Sequence, residues 1–297
     1  MVTLAVRRFR EGMHRQRGVG LIELMVAMAL GALVVIGVIQ VFTANRQTFR
    51  MQDAMSLTQE SGTFAIDFIS RDLARAGEDI EPAADDDITA FDWPNSSDGG
   101  AGNDVLAVVY DREATNGLFC NGEESSAGST RISNRYWVNA DNQLVCQGAE
   151  FNGVAFTLVG QPQVLVDNVE SFQVLYGVDT AHPALPADCT AGVDPPTLYV
   201  RTTLVAAALA RAKAACPVVP GQITQTSANA STVVRTVRVG LLVSTANPSG
   251  SVVPAGRTFT VLDRVVGAPQ IDPTDGRLRR LFVSTVLVRS GVESVDL

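Results

Sequence analysis

Gly18-Val19-Gly20-Leu21-Ile22-Glu23-Leu24-Met25-Val26-Ala27 opens a long apolar run: from Leu24 to Ile39 no side chain is charged, and after Gln40 the run resumes with Val41 and Phe42. A helix rises about 1.5 Å per residue, so Leu21 to Phe42 spans roughly 30 Å, the thickness of a bilayer core. Glu23 breaks the pattern. A carboxylate inside a membrane helix costs up to about 2.5–3.5 kcal/mol by insertion scales, so its presence asks for a cationic partner. A cut between Gly18 and Val19 would create one, the free α-amino group of Val19. In the first eighteen residues Arg7, Arg8, Arg10, Arg15 and Arg17 stand against Glu11 alone, a balance of +4. The whole chain has 23 basic and 31 acidic residues, net −8, so the remainder carries −12. The basic flank places the N-terminus in the cytoplasm and everything after about Asn45 outside the inner membrane. A secretory signal peptide has the same flank, but its apolar stretch is shorter and ends in small residues at a cut site. Here the helical pattern continues past the membrane.

Gly18, the short gap, Glu23 and the apolar helix together resemble the type III signal of type IV prepilins. The resemblance implies that prepilin peptidase cleaves after Gly18 and methylates Val19, leaving Glu23 fifth in the mature chain. Val19 stands where that family usually has Phe, and Gly20 where it usually has Thr or Ser. An ordinary signal anchor that merely contains a Glu is the plain alternative. Later segments narrow the resemblance. Arg71-Asp72-Leu73-Ala74-Arg75-Ala76-Gly77, Leu175-Tyr176-Gly177-Val178-Asp179, Val237 to Val243 and Leu278 to Val286 look like the helix end and sheet strands of PilW-type minor pilins. That family implies a subunit that helps initiate pilus assembly and sits near the pilus tip, supporting twitching motility and adhesion. Its partners would be prepilin peptidase, other minor pilins, the major pilin, a tip adhesin and the inner-membrane assembly platform. The subunit would be held in the membrane before assembly, and Glu23 would pair with the methylated amine of a neighbouring subunit.

The fold class expected is α+β: a long N-terminal helix, membrane-spanning in its first half and amphipathic in its second, packed on an antiparallel β-sheet domain. Residues 1–18 form the basic leader, 19–77 the helix (19–44 in the membrane or filament core), and 78–297 a periplasmic β-rich domain with an insertion at about 180–232. On a helical wheel Ala54, Leu57, Phe64, Ala65, Phe68, Ile69, Leu73 and Ala76 gather on one side. Asp67 with Arg71, and Asp72 with Arg75, have spacings that support an exposed face, and Gly77 reads as a C-cap. Gly31, Gly37 and Gly62 are weak points of the helix. They read either as sites of close helix packing or, by resemblance, of local melting when subunits enter a filament.

Residues 78–104 read as loop, and the run Asp85-Asp86-Asp87 lacks the alternation of a calcium loop, so it is taken as solvated. Strands are expected at Val105–Tyr110, at Arg135–Val138 and Leu144–Cys146 about an Asn139-Ala140-Asp141-Asn142 hairpin, and at Val233–Ser244, Thr258–Leu262 and Leu281–Val288. Val164–Val166 and Phe172–Tyr176 read as two strands or one bent strand, while alanine-rich Leu204–Ala215 reads as a helix stopped by Pro217. Cys120, Cys146, Cys189 and Cys216 contain no C-x-x-C, which disfavours a metal site, and in an oxidising periplasm an even number argues for disulfides. Of three connectivities, Cys120–Cys146 with Cys189–Cys216 is preferred, because each pair closes a Gly/Pro-rich excursion between strands.

Catalysis is disfavoured by inventory. His14 lies in the leader and His182 in a Pro-rich stretch, and no G-x-S-x-G, P-loop or H-E-x-x-H is present. No cofactor or metal is expected. A balance of −12 outside the leader speaks against nucleic acid unless Arg277, Arg279 and Arg280 are presented together; a solvated strand face is the expected meaning of those arginines. The alternatives carried forward are a minor pseudopilin of type II secretion, an adhesin or DNA-uptake pilin, and a bitopic periplasmic protein that never polymerises.

Overall fold

The computed structural model describes residues 18, 20–78, 90–100, 102–126, 128–178, 198–202, 234–248, 257–268, 271–272 and 274–288. The chain divides into two units, residues 1–49 and 50–297, and one helix, α1 (Leu21–Ala74), contributes to both. In the first unit every described residue from Gly20 to Phe49 is exposed. Gly31 and Gly37 have nothing within 4 Å of where a Cβ would stand.

In the second unit α1 buries one line of residues, Thr58, Gly62, Ala65, Ile69 and Leu73, spaced by three or four as a helix face requires. Two residues placed on that face from the wheel, Leu57 and Phe64, are instead 57% and 49% exposed. Gly62 explains the rotation. A Cβ there would lie 2.1 Å from the ring of Phe282, so the sheet comes closest along the Gly62 line. Gly62 is therefore a close helix–sheet approach within the globular unit rather than a membrane contact. The last turn tightens, with Arg75 N–H bonded to Asp72 C=O (3.0 Å) and Ala76 N–H to Leu73 C=O (3.1 Å). Gly77 takes the left-handed conformation of a cap (φ +77°), but its N–H leaves the helix and donates to Val109 C=O at 2.8 Å.

Among the described residues ten strands follow: β1 (Leu106–Asp111), β2 (Arg131–Val138), β3 (Leu144–Phe151), β4 (Phe156–Val166), β5 (Val169–Val178), β6 (Leu198–Val200), β7 (Val234–Ser244), β8 (Phe259–Val261), β9 (Arg264–Val266) and β10 (Arg279–Leu287). They form an antiparallel sheet β1-β2-β3-β4, a second antiparallel sheet β10-β7-β5-β6, and the hairpin β8-β9. The β2–β3 hairpin turns on Asn139, whose side-chain oxygen accepts from Asp141 N–H (3.0 Å) and Gln143 N–H (2.9 Å), while Asn142 adopts φ +57°. β4 and β5 are two strands, joined by Asp167-Asn168 with Asn168 at φ +59°, and they belong to different sheets. The segment after the acidic run is not all loop: Phe91 and Ser97 bridge to Val108 and Val105 along β1. Asp85–Asp87, the expected helix Leu204–Ala215, His14 and His182 lie outside the described residues.

One core fills the space between the helix line and both sheets, with Tyr110, Ile132, Tyr136, Phe172, Tyr176, Val237, Val239, Leu241 and Val243 fully or almost fully buried. Each such side chain contributes roughly 1.5–3 kcal/mol. A smaller cluster lies on the other face of β7, where Leu242 packs with Val261, Val266 and Ile271 under the β8-β9 hairpin. The α+β class holds, with the helix meeting two sheets rather than one. Cys120 and Cys146 form a disulfide with a Cα separation of 6.1 Å, while Cys189 and Cys216 lie outside the described residues.

Asp104 ties the loop before β1 to β5. Its carboxylate accepts from Gly99 N–H at 2.9 Å and Val174 N–H at 2.8 Å. Burial outweighs those bonds and, with Asp98 and Asp263 nearby, raises its pKa to about 6. A carboxyl whose folded pKa exceeds its unfolded value stabilises the fold fully below the unfolded value and loses that contribution as pH rises through the folded one. The stability advantage of the natural chain over Asp104→Ala should therefore shrink by about 2 kcal/mol between pH 4 and pH 7. Denaturant unfolding of both at the two pH values measures it, and an advantage that grows with pH contradicts the assignment.

Candidate functional site

The sequence-predicted assembly residues sit at the start of α1. Gly18 and Gly20 are exposed, Val19 lies outside the described residues, and Leu24 N–H donates to Gly20 C=O at 3.1 Å to close the first turn. Glu23 occupies that turn, where the helix dipole favours an anion by a few tenths of a kcal/mol. No cation among the described residues pairs with it. Its neighbours Leu21, Ile22 and Met25 are 78%, 71% and 59% exposed, and the helix reaches a mean hydropathy of 2.6 over eighteen residues. By length and composition α1 can cross a bilayer. An apolar surface of this extent, unburied within its own chain, needs lipid or other helices around it.

At its other end α1 is fixed to the first sheet by a polar cluster that the sequence did not disclose. Asp72 points inward. Its Oδ2 accepts from the Asn134 amide at 2.7 Å and from the Tyr136 hydroxyl, and the same Asn134 amide donates to the Tyr110 hydroxyl. The Asn134 side-chain oxygen accepts from the backbone N–H of Cys120 at 3.0 Å, beside the disulfide. Burial raises the Asp72 carboxyl above its usual value against the opposing effect of these bonds. Burial and the Asp72 charge hold both tyrosines well above theirs, so both stay protonated, Tyr136 as a donor to Asp72 and Tyr110 as an acceptor from Asn134. Asp72 is thus not half of an exposed pair; Arg75 pairs with Glu78 at 3.4 Å instead, while Asp67 and Arg71 do form the surface pair their spacing predicts. A signal was present. Asp72 lies next to Leu73 and three positions after Ile69, and Asn134 and Tyr136 alternate with Ile132 on one strand face.

The arginine trio separates. Arg279 is 1% exposed at its side chain and binds Glu170 (2.7 and 3.0 Å) and Asp275 (3.0 and 2.7 Å), which corrects its reading as part of a solvated face. Arg280 donates to Gln59 of α1 at 2.9 Å and Arg277 lies 3.7 Å from Asp275. The three do not form one cationic surface.

Two family profiles match this chain. The prokaryotic N-terminal methylation motif matches residues 13–39, spanning Gly18 and Glu23. The profile of type IV pilus-assembly protein W, PilW, matches residues 132–290, more than half of the chain and most of both sheets. The chain belongs to the PilW family. Among solved structures it is similar to the type IV-like pilin TTHA1219 from Thermus thermophilus, at 17% identity, 82% coverage of this chain, 98% of that chain and a TM-score of 0.41. No curated protein matches it. PilW proteins are pilus components of the minor-pilin type, structural subunits rather than enzymes. A PilW chain with the methylation motif implies processing by prepilin peptidase, anchoring by its apolar helix and assembly with other pilins. In this PilW chain the motif supplies the exposed helix, and the profile match covers Asn134 and Tyr136, which hold that helix on the sheets through Asp72.

Proposed function

We propose that this chain is a minor pilin that helps initiate type IV pilus assembly and takes a place near the pilus tip. Prepilin peptidase cuts between Gly18 and Val19 and methylates Val19; the apolar helix first holds the subunit in the inner membrane, globular unit outward. The helix then leaves the lipid and packs among others, where Glu23 meets the methylated amine of a neighbouring subunit. A buried pair of this kind sets register more than it adds stability. Because Glu23 recruits an amine from a further subunit, this chain is not the outermost one. The observation that carries the reading is Glu23, unpaired with any cation among the described residues, in the first turn of an exposed apolar helix, in a chain whose sheets match PilW.

A subunit that primes polymerisation controls how many filaments start, not how far each grows. Deleting it should cut the number of surface pili severely while those that form keep ordinary length, counted by electron microscopy. An undiminished number of shorter pili contradicts an initiating role.

A further inference from the structure

An asparagine amide donates only from its nitrogen and accepts only at its oxygen, so what meets one end decides what the other can do. At one end of Asn134 stands the backbone N–H of Cys120, 3.0 Å from Oδ1. A backbone N–H only donates, so it fixes the oxygen there and turns Nδ2 toward α1. From that position Nδ2 donates to Asp72 Oδ2 at 2.7 Å and to the Tyr110 hydroxyl. Turned over, the amide would set its oxygen against the Asp72 carboxylate, two acceptors without a proton between them in a buried site, which is costly.

Cys120 is held at this place chiefly by its side chain. Among the described residues it makes no backbone–backbone hydrogen bond. Its disulfide partner Cys146 lies on β3 opposite Tyr136, on the strand face that carries Asn134. Beside it Phe119 covers Gly148, the β3 partner of Asn134, where a Cβ would lie 2.2 Å from the ring. The rest of the loop bonds largely to itself, Phe119 N–H to Glu123 C=O at 3.0 Å and Ser125 N–H to Gly117 C=O at 2.7 Å. We infer that the Cys120–Cys146 disulfide is a redox gate on the seat of α1. Closed, it holds the N–H that orients Asn134 toward Asp72; open, it lets the amide turn over and releases the end of the helix. Closing removes two electrons and two protons from the two thiols, and these reduce the disulfide of a thiol-exchange catalyst to a dithiol. A chain whose globular unit stands in an oxidising compartment then has its helix seated; that consequence rests on the outward placement proposed above, the gate itself does not.

Acid gives the gate a signature. Asp72 faces Asn134 and Tyr136 of β2 and Tyr110 of β1, with Arg75 near it on its own helix. A protonated Asp72 donates to a turned-over amide oxygen and an ionised one repels it, so acid closes the seat that reduction opens.

The test is amide hydrogen exchange of the purified full-length chain in detergent, oxidised or treated with a phosphine reductant, at pH 7 and pH 4. Reduction should lower the protection of residues 69–76 by roughly tenfold or more at pH 7, as the loss of one hydrogen bond to a charged group allows, with β5 and β7 unchanged. Most of that protection should return at pH 4. Cys120→Ala/Cys146→Ala, which keeps Cys189 and Cys216, should behave without reductant as the reduced natural chain does. Asn134→Asp keeps the disulfide and the size of the side chain but lacks the amide donor, and should show the same loss at pH 7 and the same recovery at pH 4. Helix-end protection that survives reduction, an equal loss in α1, β5 and β7, a loss that acid does not repair, or an Asn134→Asp chain protected like the natural one at pH 7 overturns the inference. The natural chain is folded before it is reduced and is neither cleaved nor polymerised, so the outcome depends on neither the folding of the variants nor the proposed part in pilus assembly.

Discussion

Replacing Glu23 by alanine should leave the chain cut after Gly18 and anchored, yet deplete it from sheared pili by tenfold or more. The reason lies in where the carboxylate is costly. In lipid, without a partner, it raises the free energy of the anchored subunit by up to about 2.5–3.5 kcal/mol, and no described cation relieves it within the chain. In the proposed assembly it meets an amine among other pilins, so the difference would favour leaving the membrane. Alanine removes that difference, and at 1.4 kcal/mol per tenfold this shifts the partition by roughly a hundredfold. It also strands the neighbour's amine, and breaking a buried pair costs about 3–5 kcal/mol. Glu23→Asp keeps the charge and should retain part of the incorporation. Immunoblots of sheared pili against whole cells read the ratio; normal incorporation of Glu23→Ala removes the case for the pair.

The second large effect concerns the attachment of α1 to the sheets. Gly62→Val should destabilise the chain by about 3 kcal/mol, at the upper end of the cost of overpacking a core, since a Cβ there falls 2.1–2.4 Å from three atoms of the Phe282 ring. For a unit of this size that lowers the melting midpoint by about 10 °C. Neighbouring changes couple, so the double variant with Phe282→Ala should recover part of the loss even though Phe282→Ala alone opens a cavity. Circular dichroism melts of the full-length chain in detergent measure all four members of the cycle. Additive losses would mean that the ring and the glycine do not meet.

Which features could be read from the sequence follows from the distance over which their causes act. The apolar run after Gly20 and the 3.6-residue pattern to Ala76 are local, and the helix appears as Leu21–Ala74. Strands are legible in part: the expected bounds of β1, β7, β8 and β10 differ by a residue or two, but β2 starts four residues earlier than expected, β3 ends five later, β4 starts eight earlier, and neither β6 nor β9 is among the expected strands. Which side of the helix turns inward is not local. It depends on Phe282 filling the space at Gly62, 220 positions earlier, and so Leu57 and Phe64 were placed wrongly. Charges mislead for the same reason. Asp72 finds Asn134 and Tyr136 more than sixty residues on, and Arg279 finds Glu170 109 residues back. Neither partner shows in a helical spacing or a strand alternation. The apolar runs on either side of Asp167-Asn168 likewise do not tell that the chain changes sheets there.

Whether a new α-amino group is made at Val19, four residues before Glu23, is read from the mass and N-terminal sequence of the mature chain, with and without prepilin peptidase. The chain should begin at a methylated Val19 when the peptidase is present and at or near Met1 when it is absent. A chain that starts at Met1 in both, or one cut beyond the apolar run, would contradict it.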